Sequence, residues 1–174
     1  YDYIYWSSPV SNFAVSDITG SYRYKWEPTL PSIYDSNYGN WIGTNENMVI
    51  GKGYIVRTPN TFTTSLQTLT TTFTGTPNNG TITTPIKRGL YDGINYIGLT
   101  NTPITKDDDN WNLIGNPYPS SIDAIDFLTL NTNIDGFIKV WTHGNLPSSA
   151  VADPFYENYQ RRVGWFFCLK HLHL

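Results

Sequence analysis

Two stretches of this chain echo each other, and the echo narrows the possible folds more than any single segment does. Tyr5-Trp6-Ser7-Ser8-Pro9-Val10-Ser11 is similar to Leu113-Ile114-Gly115-Asn116-Pro117-Tyr118-Pro119 at a shift of 108 (117 − 9). Downstream of each comes a Gly-led, strand-like run ending in tryptophan, Gly20 to Trp26 and Gly136 to Trp141, at a shift of 115 (141 − 26). Two such halves predict paired motifs that bury alternating aromatics between them.

The local pattern agrees. Tyr3 to Trp6 is β-branched and aromatic and stops at Ser7-Ser8-Pro9. Ser21 to Trp26 alternates with Tyr22, Tyr24 and Trp26 on one face and Arg23 and Lys25 on the other, which predicts an aromatic face turned to the core. Trp41-Ile42, Met48-Val49-Ile50 and Tyr54 to Arg57 are expected as consecutive antiparallel strands. Thr61 to Phe73 spaces its apolar residues as a helix would, but its threonines favour a strand. Asn78-Asn79-Gly80 predicts a hairpin turn leading into a strand at Thr81 to Thr84. Short apolar runs follow at Tyr91 to Leu99 and Trp111 to Ile114. One helix is expected over 121–130, capped by Ser120 or Ser121 and presenting Ile122, Ile125 and Leu128. The expected fold is therefore all-β: an antiparallel β-sandwich, with a jelly-roll as one variant, built of two similar halves plus that helix.

With 174 residues the chain is the size of one domain, and its single Cys168 excludes an internal disulfide. A net charge of −3 with scattered Lys and Arg offers no stripe for phosphates, so nucleic acid is not an expected partner. No apolar run is long enough for a membrane-spanning helix.

Tyr5 to Ser11, Gly51-Lys52-Gly53-Tyr54-Ile55-Val56 and Trp111 to Ser120 resemble blocks in large secreted surface proteins of Bacteroidetes that end in a type IX secretion sorting domain. Trp141-Thr142-His143 fits the same pattern. The likeness spans about Tyr3 to Tyr159 and implies an all-β segment, secreted or displayed at the cell surface, with roles such as adhesion. It brings no catalytic residues with it. After Tyr159 the pattern breaks: Arg161 to Leu174 differs in character from what precedes it. The expected division is a β-sandwich domain over 1–159 and an atypical tail over 160–174, truncated or frameshifted. On that reading the last strand of the second half is missing, leaving a bare sheet edge.

Candidate sites are few. Tyr38 and Trp41, near Asn37 and Asn40, pair flat rings with amides, the combination that stacks on a sugar face and binds its hydroxyls. The same aromatic residues also suit plain core packing. Asp107, Asp108, Asp109 and Asn110 concentrate hard oxygen ligands suited to calcium, with Asp153 as a distant carboxylate, or form a solvated turn. Glu27, Glu46 and Glu157 are the glutamates from which a glycosidase pair would be drawn, but no spacing selects two of them. There is no Gly-x-Ser-x-Gly elbow, and His143 is the only histidine outside the tail. His171 and His173 could share a strand face but lack a third metal ligand nearby. The expected function is that of a non-catalytic structural or binding module, with a glycan or another surface ligand as partner and no cofactor unless calcium. A carbohydrate-binding accessory module and an uncharacterised hydrolase domain are the alternatives.

Overall fold

A computed structural model describes residues 3–30, 39–63, 67–89, 93–97, 101, 103–105, 110–139 and 166–171. Within them the chain is built of antiparallel strands with one α-helix. The first sheet contains β1 (Tyr3–Trp6), β2 (Arg23–Glu27), β3 (Asn40–Gly43) and β4 (Tyr54–Arg57) in the order β1-β4-β2-β3. A two-stranded ribbon joins β5 (Tyr96–Ile97) to β6 (Pro103–Ile104). The second sheet, in the order β7-β9-β8, contains β7 (Trp111–Gly115), β8 (Ile134–Lys139) and β9 (Phe166–His171). Helix α1 (Ala124–Leu130) lies between β7 and β8.

Apart from the edge strand β3, the two sheets share one topology: β4 enters between β1 and β2, as β9 does between β7 and β8, and each runs antiparallel to both neighbours. The register ties this to the sequence echo. Ile4 and Arg23 flank Val56, while Asn112 and Ile138 flank Leu169. The flanking residues are thus displaced by 108 (112 − 4) and 115 (138 − 23), the two shifts of the echo. The expectation that the second half lacks its final strand is not met, because β9 occupies in the second sheet the place that β4 occupies in the first.

The main core gathers Val10, Phe13, Val15, Ile18, Met48, Tyr54 and Val56, with Trp6 and Phe73 packed against it. Tyr54 and Val56 reach it from β4, and the register places Arg23 and Lys25 of β2 on that same face. The aromatic side of β2 therefore turns away from this core, the reverse of the expected orientation. Arg23 Nε donates to Val15 O at 3.0 Å, and its Nη2 donates to Ser16 O and Ile18 O at 3.2 and 2.8 Å. These carbonyls surround the end of a short 3-10 helix (Val15–Asp17), where Val15 O also accepts from Ile18 N–H, and the guanidinium supplies them with charge-assisted donors. Lys25 pairs with Glu46 at 2.5 Å. Both side chains can lie over apolar surface because only their heads are polar.

Three further expectations change. Met48 to Ile50 is not a strand: Met48 N–H donates to Phe13 O, and Val15 N–H donates to Glu46 O, a single bridge to the 13–15 segment. The described parts of 61–73, and Thr81 to Thr84, are extended without a ladder. Their side chains still alternate in burial, with Leu69, Thr71 and Phe73, then Ile82, Thr84 and Ile86, turned inward. Helix α1 starts later than expected and is capped by Asp123, whose Oδ1 accepts from Ile125 N–H at 2.8 Å and Asp126 N–H at 3.1 Å. Phe127 and Leu128 pack against Ile114 and Ile134 in a smaller core. Ile125, expected on the packed face, is 76% exposed.

Candidate functional site

The extended segment between Thr76 and Gly89 holds the two halves together through side chains. On β7 and just before it, Asn110 and Asn112 stand two residues apart and are fully buried. Asn112 Oδ1 accepts from Lys87 N–H at 2.9 Å, and its Nδ2 donates to Lys87 O at 2.8 Å, so one amide side chain replaces a missing strand partner. Asn110 Oδ1 accepts from Gly89 N–H at 2.7 Å. Further along, Tyr118 Oη donates to Gly80 O at 2.7 Å and Thr84 Oγ1 to Ile50 O at 3.1 Å.

Asn78 sits where the echoed corners meet. Its Nδ2 donates to Ser8 O at 3.1 Å and to Pro117 O at 2.9 Å, and its own N–H donates to Pro9 O at 2.9 Å. The corners are built alike: Ser8 Oγ accepts from Val10 N–H and Asn116 Oδ1 accepts from Tyr118 N–H. Asn116-Pro117-Tyr118-Pro119 thus forms the structural corner between β7 and helix α1. Two backbone bonds reinforce the link, Gly53 N–H to Leu113 O and Gly115 N–H to Gly51 O.

The face of the first sheet opposite the main core is aromatic. Across it run Tyr5, Ile55 and Tyr24 in one row, Tyr3 beside Arg57 in a second, and Trp26 beside Trp41 in a third. Trp26 and Trp41 meet edge to face at 5.2 Å, and Tyr3 and Tyr24 are tilted at 6.2 Å. Trp26 is fixed, because its Nε1 donates to Trp111 O at 2.8 Å and its ring leaves no room beside Gly39. Burial, reinforced by Tyr24 and opposed by Arg57, raises the Tyr3 hydroxyl above its ordinary pKa. Of the residues proposed from sequence for a sugar platform, Asn40 and Trp41 lie on β3, both half-buried. Asn37 and Tyr38 lie outside the described residues.

Glu27 and Glu46 are each held in an ion pair, with Lys87 and Lys25 respectively. Burial alone would raise the carboxyl of Glu27, but hydrogen bonds from Lys87 and Thr29 and the charge of Lys87 outweigh it, so its pKa falls. The Lys87–Glu27 contact is 2.7 Å. Burial likewise would raise the carboxyl of Glu46, but hydrogen bonds from Lys25 and Tyr54 and the charge of Lys25 outweigh it, so its pKa falls too. Both stay ionised, unlike a glycosidase acid with its raised pKa. Glu157 lies outside the described residues. Tyr54, whose Oη donates to Glu46 at 2.9 Å and accepts from Val49 N–H, has its pKa raised mainly by burial. Lys52 is lowered by burial, with Glu27 opposing and Lys87 adding to the shift.

Of the proposed calcium loop, Asp107, Asp108 and Asp109 lie outside the described residues, as do Asp153, His143 and His173. The Asn110 side-chain oxygen is turned inward onto Gly89. Among the described residues no three His, Cys, Asp or Glu side chains converge as a metal site. No helix there is long and apolar enough to cross a membrane. The Asn110–Asn112 clamp and the Asn78 bridge escaped sequence reading, since a buried amide has no signature in a hydrophobic pattern. The period-two spacing of the two asparagines was the available signal.

A family model described as Domain of unknown function (DUF8693) matches residues 1–164, and the chain belongs to that family. No curated protein and no solved structure matches it.

Proposed function

We propose that this member of the DUF8693 family is a non-catalytic structural and binding module of a larger, secreted or surface-displayed protein, whose two similar sheets form a β-sandwich. The bond from Trp26 of β2 to Trp111 of β7, and the bridge between Lys52 and Ile114, support the packing of one sheet near the other. The observation that carries the binding role is the aromatic face of the first sheet. There Trp41 is paired with a locked Trp26, so a flat ring is held ready without loss of side-chain freedom, while Asn40, the residue before it on β3, belongs to the opposite face. A glycan, whose C–H faces stack on such a ring, is the ligand class it would recognise. The extracellular setting rests on the resemblance to Bacteroidetes surface proteins with a type IX sorting domain.

Titration against a panel of polysaccharides tests this. Trp41→Ala is expected to weaken the binding seen with the wild-type protein about two- to tenfold, since a ring contact is worth ~0.5–1.5 kcal/mol. Trp41→Phe should lose less. Binding unaffected by Trp41→Ala, or no binding by the wild-type protein, would leave a spacer role. Protease treatment of intact cells that spares the parent protein would overturn the surface location.

A further inference from the structure

Asn79-Gly80 is the single Asn-Gly pair in the sequence, and its geometry favours chemistry of its own. Asn79 is exposed, and its side chain is folded forward so that Oδ1 accepts from Gly80 N–H at 2.8 Å. That contact holds the amide carbon of the Asn79 side chain, Cγ, beside the Gly80 nitrogen. Gly80 has φ +74°, and a Cβ there would meet nothing within 4 Å, so the residue stands in open space and carries no side chain to hinder approach to its nitrogen. The pair sits between two anchors: Asn78, bonded to Ser8, Pro9 and Pro117, and the Gly80 carbonyl, bonded to Tyr118.

We propose that Asn79 is a self-modification site at the junction of the two halves. The Gly80 nitrogen loses its proton to solvent base and attacks Asn79 Cγ. A bond forms between that nitrogen and Cγ, the Cγ–Nδ2 bond breaks, and ammonia leaves with a proton taken from water. The resulting five-membered imide is hydrolysed by water at either carbonyl, which gives aspartate or isoaspartate. No oxidant, reductant or enzyme is needed. The isoaspartate product routes the backbone through the former side chain and adds one methylene between the anchors. The span from the Asn78 bonds to the Tyr118–Gly80 bond then no longer fits, and the connection between the corners loosens.

The test is timed incubation of the intact folded protein at mildly alkaline pH, followed by peptide mass spectrometry with isoaspartate detection. The expected result is a gain of about one dalton confined to the peptide containing Asn79. Its rate should rise with pH and be no slower than in the same segment as a free peptide. The aged fraction should melt lower, by about 2–4 °C for each kcal/mol lost in a protein of this size. Asn79→Gln keeps an amide but needs a larger ring, so it should abolish both effects. Asn79→Asp introduces the charge alone and should keep the melting temperature of the fresh protein. Slower reaction in the folded protein than in the peptide, or equal conversion at other asparagines, overturns the site. An unchanged melting temperature after conversion overturns the loosening.

Discussion

Replacing Asn78 by alanine removes two hydrogen bonds at once while leaving the backbone bond from its N–H to Pro9 in place. Each neutral bond contributes about 0.5–1.5 kcal/mol net, and a buried acceptor left bare adds about another 1 kcal/mol. Asn78 is buried and Ser8 fully so, which makes the Ser8 carbonyl the stranded group. The expected loss is ~2–4 kcal/mol, and at roughly 2–4 °C per kcal/mol this lowers the melting temperature by about 4–16 °C. Asn78→Asp keeps the shape but loses the donors and turns a carboxylate toward two carbonyl oxygens. Its folded pKa must rise above the unfolded value of about 3.9. Its stability is therefore lower than that of Asn78→Ala at neutral pH. As pH falls through the raised pKa, the protonated carboxyl donates again and the gap closes. Thermal and urea unfolding of both variants from acid to neutral pH measures this. An Asn78→Ala melting temperature within about a degree of wild type, or an Asn78→Asp protein no weaker than Asn78→Ala at neutral pH, would refute the bridge.

Arg23→Lys keeps the charge but replaces a fork that reaches three carbonyls by a single point donor, so urea unfolding should show a loss of about 1–3 kcal/mol. The lowered pKa of Glu46 means a stabilising contribution present above the unfolded value of about 4.3 and lost as pH falls through the folded one. Lys25→Met should flatten that part of an acid-denaturation profile. Gly39→Ala forces a Cβ to 2.5 Å from the Trp26 ring at φ +79°. The backbone strain alone costs about 1–2 kcal/mol, and the displaced indole should alter the near-ultraviolet circular dichroism.

Strand positions were largely legible, because Tyr3–Trp6, Tyr54–Arg57 and Trp111–Gly115 combine β-branched and aromatic residues between Pro and Gly stops. The duplicated layout was legible too, since the two shifts of the echo reappear in the pairing register. Orientation was not. In β2 the alternation is real, but nothing local says that the 3-10 carbonyls wait for Arg23 and that Glu46 waits for Lys25. The segment before Gly89 alternates like a strand and still forms none, because its partners are amide side chains on another element. Periodicity reports which residues turn inward; it is blind to what the backbone bonds to. Of the sugar platform, Trp41 was found from its ring and its amide neighbour, whereas its pairing with Trp26 depends on cross-strand register.

The placement of β4 and β9 also bears on how the protein is made. Each sheet is completed by the strand synthesised last, which enters between two earlier ones: β4 between β1 and β2, and β9 between β7 and β8. During synthesis β1 must wait for β4, some fifty residues on, and β7 and β8 have no partner in their sheet before β9 emerges. Pairings this distant in sequence make folding slow and keep aromatic strand edges open while it lasts. The nascent polypeptide is therefore most in need of a holding chaperone in the interval before β9 is released.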